Sequence, residues 1–153
     1  MHPGGLYRVT DEAPLLERLR VQPFMTLCAA PQGRPLVAHA PVVLTPAGGR
    51  LTLDFHLGRG NALAPYLADG FQAVAVSLGP DTYVSPDWYE SADQVPTWNY
   101  LTVEAEGRVV VMDEAELVRQ LDDLSAQEEA RLTPKPAWTR HKMSPGRFDA
   151  MLR

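Results

Sequence analysis

Short runs of alternating apolar and polar residues recur along the chain and indicate a fold made mainly of β-strands. Six runs meet the criteria for strands, and most of them are bounded by Gly or Pro. They are Phe24 to Ala30, Leu36 to Leu44, Arg50 to Phe55, Phe71 to Leu78, Trp98 to Ala105 and Arg108 to Met112. Short turns join the first three runs and predict an antiparallel meander, while Glu106 and Gly107 predict a hairpin between the last two.

The clearest helix in the pattern covers Asp113 to Arg131. Its apolar residues recur three and four positions apart, as they do on one face of an α-helix. These residues are Leu117, Val118, Leu121 and Leu124. Asp113 and Glu116 have the spacing of a capping box, in which each side chain accepts a hydrogen bond from the backbone of the other residue. We therefore predict a helix that begins at Asp113 and packs one apolar stripe against the core.

Three shorter helices are predicted elsewhere in the chain. One covers Val9 to Arg20, and another covers Ser144 to Leu152. The third covers Ala62 to Ala68, where Asn61 is the expected N-cap and Gly70 the residue that stops the helix. All three are short enough to serve as connections between strands.

Antiparallel strands with inserted helices predict a mainly β fold of the α+β class, arranged as a small closed antiparallel barrel. A chain of 153 residues has the size of one domain, so residues 1–153 are predicted to form a single unit. The hydrophobic fraction of 45% and the charged fraction of 22% are typical of soluble globular proteins.

The sequence has no apolar stretch as long as the roughly 18 residues that a membrane span requires. It opens with MHPGGLYRVTDE, which lacks the basic segment and apolar run of a signal peptide. Cys28 is the single cysteine, so no disulfide can form within the chain. Together these features predict a protein of the reducing cytoplasm.

The chain is acidic, with a net charge of −5, 14 basic residues against 19 acidic ones, and a pI of about 5.3. Proteins that bind DNA draw much of their affinity from clustered Lys and Arg residues that contact phosphates. Direct DNA binding is therefore disfavoured, and it would require a local basic patch.

Large aromatic side chains concentrate in the stretch Gly79 to Tyr100, GPDTYVSPDWYESADQVPTWNY. It holds two of the three tryptophans, three of the five tyrosines and three of the 14 prolines. One interpretation is a well-packed corner between two strands, because each ring buries a large apolar area. The other is a binding surface for a flat aromatic ligand, since binding sites are also rich in aromatic residues.

The segment His56 to Asn61, HLGRGN, has the composition of an anion-binding loop. Its two glycines allow a ligand to approach the backbone, and Arg59 supplies a permanent cation with a fork of donors. A helix N-terminus is predicted directly after it, and the free N–H groups of such a terminus favour a phosphate. The alternative is a glycine-rich turn with a solvated arginine and an ordinary helix cap.

Two motifs within the aromatic stretch carry a family resemblance. They are Tyr83-Val84-Ser85-Pro86-x-Trp88-Tyr89 and Val95-Pro96-Thr97-Trp98-Asn99-Tyr100. Together with Pro35 to Leu44 and His56 to Asn61 upstream, they resemble the PaiB-like FMN-binding negative transcriptional regulator family. Paired motifs at the separation that the family shows are far more specific than a single glycine-rich loop.

The resemblance implies an antiparallel split β-barrel of the FMN-binding type, which binds FMN noncovalently and forms a homodimer with FMN near the interface. It also implies which residues bind the cofactor. They are His39, His56, Arg59, Asn61, Ser85, Trp88, Thr97, Trp98 and Asn99. The family continues past its final helix with a strand pair that this sequence lacks, so the barrel is expected to have fewer edge strands.

Three positions depart from the family pattern. Ala40, Gly58 and Ala62 stand where the family has leucine, alanine and proline, respectively. None of these differences removes Arg59 or the cap at Asn61. The shorter side chain of Ala40 is expected to reduce one wall of the pocket.

His39 and the second motif leave alternatives open. His39 lies in the middle of a predicted strand, where it either packs in the barrel wall or faces the flavin ring. Trp98 and Tyr100 share one face of their strand, opposite to Thr97 and Asn99, so one pair is expected to pack in the core. The sequence does not decide which pair meets the flavin.

Other kinds of chemistry have weak support. His39, His56 and Asp54 lack the spacing of a metal site. Ser85 has no neighbouring histidine and no nucleophile motif, which argues against a hydrolase.

The function that the resemblance implies is a cytoplasmic flavoprotein with a transcriptional-regulatory or redox-sensing role. A first alternative is an FMN-dependent oxidoreductase, a flavin reductase or oxidase, and whether the protein is an enzyme stays open because no residue stands out as an acid or base. A second alternative is a degenerate barrel that acts as an interaction domain, and a third is a DNA-binding repressor.

Overall fold

The computed structural model describes residues 5–152, in which six strands and three α-helices alternate with short 3-10 helices. The strands are β1 (Phe24–Ala29), β2 (Leu36–Pro41), β3 (Val43–Ala47), β4 (Arg50–Asp54), β5 (Phe71–Val84) and β6 (Thr97–Val109). The helices are α1 (Glu12–Val21), α2 (Glu114–Glu129) and α3 (Arg147–Leu152). The first four residues of the opening segment, where no signal peptide is predicted, lie outside the described residues.

The strands form two antiparallel sheets. A four-stranded sheet has the order β2-β1-β5-β6, and β3 pairs with β4 in a separate two-stranded sheet. The expected α+β fold with antiparallel sheets is thus confirmed. Among residues 5–152 the two sheets are not joined into a closed barrel by strand pairing.

The predicted strand from Leu36 to Leu44 is divided at Val42, which leaves the first sheet and enters the second. Val42 is buried, and its N–H donates to the carbonyl of Pro23 at 2.9 Å instead of joining a strand ladder. As a result, β4 pairs with β3 and not with β2. The predicted three-stranded meander is therefore wrong. The chain changes from one sheet to the other at Val42 because this residue is buried in the core.

The predicted hairpin at Glu106 and Gly107 is also wrong, since β6 runs through both residues without a turn. Gly107 lies opposite Ala73, and Glu106 lies opposite Val74. Gly107 is exposed, and Glu106 lies on the opposite face of the same strand. The Glu-Gly pair is typical of a turn in the sequence. In the structure it is part of a continuous strand whose residues alternate between the two faces of the sheet.

The core lies on one face of the four-stranded sheet and is contiguous. Its buried members are Leu19, Met25, Leu27, Ala38, Ala40, Val42, Leu63, Phe71, Ala73 and Ala75. The opposite face is not covered within the described part of the chain. Phe24, Val37 and Leu78 on that face are 65%, 56% and 69% exposed, so the sheet presents apolar side chains to its surroundings.

The helices follow the sequence prediction in part. α2 begins after Asp113 with the complete capping box: Glu116 N–H donates to Asp113 at 2.8 Å, and Asp113 N–H donates to Glu116 at 2.9 Å. The helix predicted after Asn61 is only a 3-10 turn at Ala64–Tyr66. Within residues 5–152, the structure holds no helix with the length and apolar character needed to cross a membrane.

Candidate functional site

The residues predicted to bind the cofactor fall into three groups in the structure. One group lies in the loop after β4, a second lies at the far end of the β5–β6 hairpin, and His39 stands alone on β2. The loop group is His56, Arg59 and Asn61, and the hairpin group is Ser85, Trp88, Thr97, Trp98 and Asn99.

The loop from His56 to Asn61 is open to a ligand. Arg59 is exposed, and a Cβ added at Gly58 or at Gly60 would meet no atom within 4 Å. Asn61 closes the loop, because its Oδ1 accepts a hydrogen bond from the N–H of Leu63 at 2.9 Å. The prediction that Asn61 is a helix N-cap is nevertheless wrong, because the cap residue of the following 3-10 turn is Leu63, which forms no side-chain cap hydrogen bond. That turn has three residues and is too short to contribute a helix dipole. An anion would therefore depend on Arg59 and the loop backbone.

Arg59 has one hydrogen-bond partner among the described residues. Its Nη2 donates to the carbonyl of Leu152, at the end of α3, at 3.1 Å. A guanidinium carries five N–H donors, so this bond leaves most of the fork available to a ligand. α3 thus steadies the arginine without using up its binding capacity.

His56 is half-buried and is held by α2. Its Nδ1 lies 3.0 Å from Oε1 of Gln120, a residue of α2 whose side chain is 0% exposed. The two residues are 64 positions apart in the chain. α2 therefore contacts the loop directly at His56, the first residue of the loop.

Asp54, the last residue of β4, provides a second attachment to α2. Its Oδ2 accepts a hydrogen bond from Nη2 of Arg119 at 2.7 Å. Burial has the largest influence on the pKa of Asp54 and would raise it, but hydrogen bonds from Arg119 and two threonines, with the arginine's charge, hold the pKa below its usual 3.8. Asp54 is therefore an ionised partner of Arg119.

The end of the β5–β6 hairpin carries exposed aromatic side chains. We call residues 81–100 the aromatic arm, since its strand ends pair as Asp81 with Tyr100 through to Val84 with Thr97. Trp88 is 70% exposed, and the ring of Trp98 meets the ring of Tyr83 edge-on with centroids 6.0 Å apart. The interpretation as a well-packed corner is wrong, because these rings contact one another and not the core.

The side chains at the start of β6 do not divide into a core pair and an outer pair as predicted. Trp98, Asn99 and Tyr100 are all exposed, and Thr97 is half-buried. The reason is that the core extends only as far as the first half of the hairpin, so neither face of the arm has a core to pack against. At the other end of the arm strand, Ser85 Oγ accepts the N–H of Asp87 at 3.3 Å and begins a 3-10 turn.

His39 lies on the uncovered face of the four-stranded sheet. Its ring stacks on Phe24 with centroids 6.3 Å apart, and its Nδ1 lies 3.1 Å from Oγ1 of Thr26. The side chain is exposed and so does not pack in a closed barrel wall. The single chain thus does not support the interpretation in which His39 packs in the barrel wall, and its contact with the flavin ring stays a prediction.

Within one chain, His39 and the aromatic arm are far apart. β2 and β6 are the two edges of a four-stranded sheet, so three strand spacings of about 4.8 Å separate them. His39 is level with Glu104 of β6, which is six residues, or about 20 Å, along the strand from Trp98. A site that used both would need parts of two chains.

Sequence reasoning did not identify Gln120 or Arg119 as part of this region. The one available signal was the position of Gln120 in the apolar stripe of α2, three residues after Leu117 and one before Leu121. A polar side chain at a core position needs a hydrogen-bond partner, and His56 is that partner. No group of three or more His, Cys, Asp or Glu side chains within residues 5–152 is arranged to hold a metal ion.

Two known proteins resemble this chain. The protein is 24% identical to the Protease synthase and sporulation protein PAI 2 of Bacillus subtilis (strain 168), over all of this chain and 72% of that protein. The solved structure of the FAD and Heme binding protein from Mycobacterium smegmatis has a similar fold, with a TM-score of 0.61 and 21% identity. The match covers 88% of this chain but only 62% of the mycobacterial chain.

A protein family also matches this chain. The family described as "Putative FMN-binding domain" matches residues 1–153 of this protein. The Bacillus relative extends the resemblance carried by the two aromatic motifs to the full length of the chain. The chain therefore belongs to this PaiB-like family of FMN-binding domains, whose cofactor is FMN.

Proposed function

We propose that this protein is a cytoplasmic, noncovalent FMN-binding homodimer with a regulatory or redox-sensing role. The observation that carries the proposal is the open loop at Arg59, which lies in a chain whose full length matches an FMN-binding family. The single cysteine, Cys28, is free, in agreement with a reducing compartment.

The side chains present suit the chemistry of FMN. The phosphate needs a cation and N–H donors, and Arg59 offers a guanidinium beside two glycines whose flanks are open. The isoalloxazine ring needs a flat apolar partner, and the aromatic arm presents Trp88 and Trp98. His56, Asn61, Ser85, Thr97 and Asn99 add hydrogen-bonding groups for the polar parts of the cofactor.

We propose that residues 1–153 form one split-barrel domain and that the two sheets are the two halves of the barrel. The uncovered sheet face with Phe24, Val37 and Leu78 supports a homodimer, since such a patch marks an interaction surface. The separation of His39 from the aromatic arm supports a site shared by two copies. In that arrangement, the arm of one copy would cover the loop or the sheet face of the other.

When bound, FMN supplies reversible electron transfer, while the protein binds and orients the cofactor. The name of the Bacillus relative refers to protease synthesis and sporulation, which favours a regulatory role over a metabolic one. The net charge of −5 argues that regulation does not act through direct DNA contact by this chain. An FMN-dependent oxidoreductase is the second candidate, and faster reduction of bound FMN than of free FMN by NAD(P)H would favour it.

The proposal is tested by comparing FMN with riboflavin, which lacks the phosphate. We expect the wild-type protein to retain FMN after removal of the excess, as seen in its visible absorbance spectrum. Arg59→Ala should weaken FMN binding about ten- to hundredfold, because charge-assisted hydrogen bonds are lost, and should leave riboflavin binding unchanged. Arg34→Ala, which removes an exposed arginine from the turn before β2, is the matched control.

Two outcomes would contradict the proposal. A wild-type protein that takes up no added FMN would mean that the chain does not bind the cofactor, and the interaction-domain alternative would lead. An Arg59→Ala variant that binds FMN as tightly as the wild type would remove Arg59 from the phosphate site.

A further inference from the structure

Gln120 is a polar residue at the centre of the contact between α2 and the loop after β4. Its side chain is 0% exposed, and its Oε1 faces Nδ1 of His56. Its Nε2 is buried and has no hydrogen-bond partner within residues 5–152. A buried amide with an unsatisfied N–H group destabilises a fold, and an apolar residue at this position would avoid that cost. Packing alone therefore does not explain a glutamine here.

The geometry of this contact determines which tautomer of His56 it would favour. An amide oxygen only accepts hydrogen bonds, so a bond between Oε1 and Nδ1 requires the hydrogen to be on Nδ1. In a neutral imidazole, the other nitrogen, Nε2, then carries a lone pair and can only accept. Gln120 thus makes His56 an acceptor.

The neighbouring residue of α2 fixes the backbone that carries His56. Arg119 holds Asp54 through the hydrogen bond of 2.7 Å, two residues before His56. Arg119 and Gln120 are consecutive residues of α2. They contact Asp54 and His56, respectively, in the segment that leads to Arg59. Arg59 follows His56 three positions later in the same loop.

We propose that Gln120 is a positioning residue, which fixes His56 to accept a hydrogen bond from the flavin. This inference rests on the proposed function and assigns different parts of the flavin to Arg59 and His56. Arg59 binds the phosphate, whereas His56 binds a donor in the part that FMN and riboflavin share, a ribityl hydroxyl or a ring N–H group. Gln120 itself touches only the histidine.

The first experiment tests the tautomer without cofactor. Nitrogen NMR of the imidazole groups, at a pH where His56 is neutral, should show hydrogen on Nδ1 in the wild-type protein. Gln120→Leu should lose this preference, and Gln120→Glu, which keeps an acceptor, should restore it. Gln127→Leu makes the same change two turns later on α2 and should have no effect. Thermal melting confirms that each variant is folded.

The second experiment measures affinity for both flavins. Gln120→Leu should weaken the binding of FMN and of riboflavin alike, by about three- to tenfold, because one hydrogen bond to a neutral group is lost. Arg59→Ala should weaken only FMN. The two variants thus distinguish a residue that binds only the phosphate from one that acts on the part that FMN and riboflavin share.

Several results would overturn the inference. Hydrogen on Nε2 of His56 in the wild-type protein, or a tautomer that does not change in Gln120→Leu, would refute the fixing of the histidine. Unchanged affinity of Gln120→Leu for both flavins would refute the positioning role. A wild-type protein that binds neither flavin would refute the proposed function and the ligand half of this inference, while the NMR result would still decide the tautomer half.

Discussion

At the scale of single residues, the charge of Asp54 attaches the start of the candidate binding loop to α2. Its carboxylate accepts from Arg119 at 2.7 Å and from Oγ1 of Thr52 at 3.0 Å, and its side chain is 11% exposed. These hydrogen bonds are strongest when the carboxyl group is ionised, so the attachment depends on pH. α2 and the loop are coupled through a titratable group.

Asp54→Asn should destabilise the protein at neutral pH but not in strong acid. The folded pKa lies below the usual 3.8, so the ionised group stabilises the fold above about that pH. The stabilisation is lost as the pH falls through the lower folded pKa. Urea unfolding at a series of pH values should therefore show the two proteins converging at low pH.

Asp81→Asn removes a negative charge from the exposed arm and is the control for the change in net charge. A constant difference between wild type and Asp54→Asn at every pH would contradict the assigned pKa shift.

The sequence predicted the local parts of the candidate site but not the contacts between them. Arg59, its glycines and Asn61 are adjacent in the chain, so their composition alone revealed an open loop. The pairing of His56 with Gln120 joins residues 64 positions apart, and no local pattern encodes such a pairing. Only the glutamine within an apolar stripe indicated that a partner was needed.

At the scale of elements, the β5–β6 hairpin changes character at an irregularity between Leu78 and Asp81. Before it, the hairpin packs on the core, and beyond it lies the aromatic arm. Gly79 occupies the irregularity, and Nη2 of Arg18 on α1 donates to the carbonyl of Leu78 at 3.0 Å. α1 therefore braces the hairpin at the base of the arm.

Gly79→Ala should destabilise the protein by about 1–3 kcal/mol, the usual cost of overpacking. The added Cβ would lie 2.7 Å from Cβ of Leu101 and 2.9 Å from its carbonyl oxygen, and neither atom can move without shifting β6. Gly107→Ala is the matched control, since a Cβ there meets nothing within 4 Å. Thermal or urea unfolding of the two variants gives the comparison, and equal stabilities would show that the hairpin yields at Gly79.

The elements that the sequence predicted well are those specified by their own residues. The capping box at Asp113 and Glu116 lies within one helical turn, and the structure contains it in full. The errors at Val42 and Gly107 have another origin, because both depend on what the chain packs against. A buried valine redirects one strand, and pairing with β5 on both sides of Gly107 carries the other strand through the Glu-Gly pair.

At the scale of the whole molecule, two features of the single chain are incomplete. One is the uncovered sheet face around Phe24, Val37 and Leu78, and the other is the aromatic arm, whose rings meet no core. A second copy of the chain could cover both at once. The proposed homodimer would account for both features together.

The proposed homodimer predicts that Leu78→Glu yields a monomer while the fold is retained. Leu78 is 69% exposed in the single chain, so a glutamate there costs the monomer little but would bury a charge in the interface. Sedimentation equilibrium measures the molecular mass directly. Val9→Glu, which changes an exposed valine before α1, should leave the dimer intact.

A wild-type protein that sediments as a monomer would contradict the homodimer. A dimer that persists in Leu78→Glu would place the interface on another face. Either result would require a different explanation for the exposed arm.

The position of the aromatic arm beyond the core also determines how the chain opens locally. Separating the strand ends of the arm exposes no additional core, so it is opposed by backbone hydrogen bonds and by contacts such as that of Trp98 with Tyr83, and not by core packing. The other half of β5 cannot separate from β6 without opening the core. Amide hydrogens of the arm would thus exchange with solvent through brief local fraying. Those of Ala73 and Ala75 would exchange only through global unfolding.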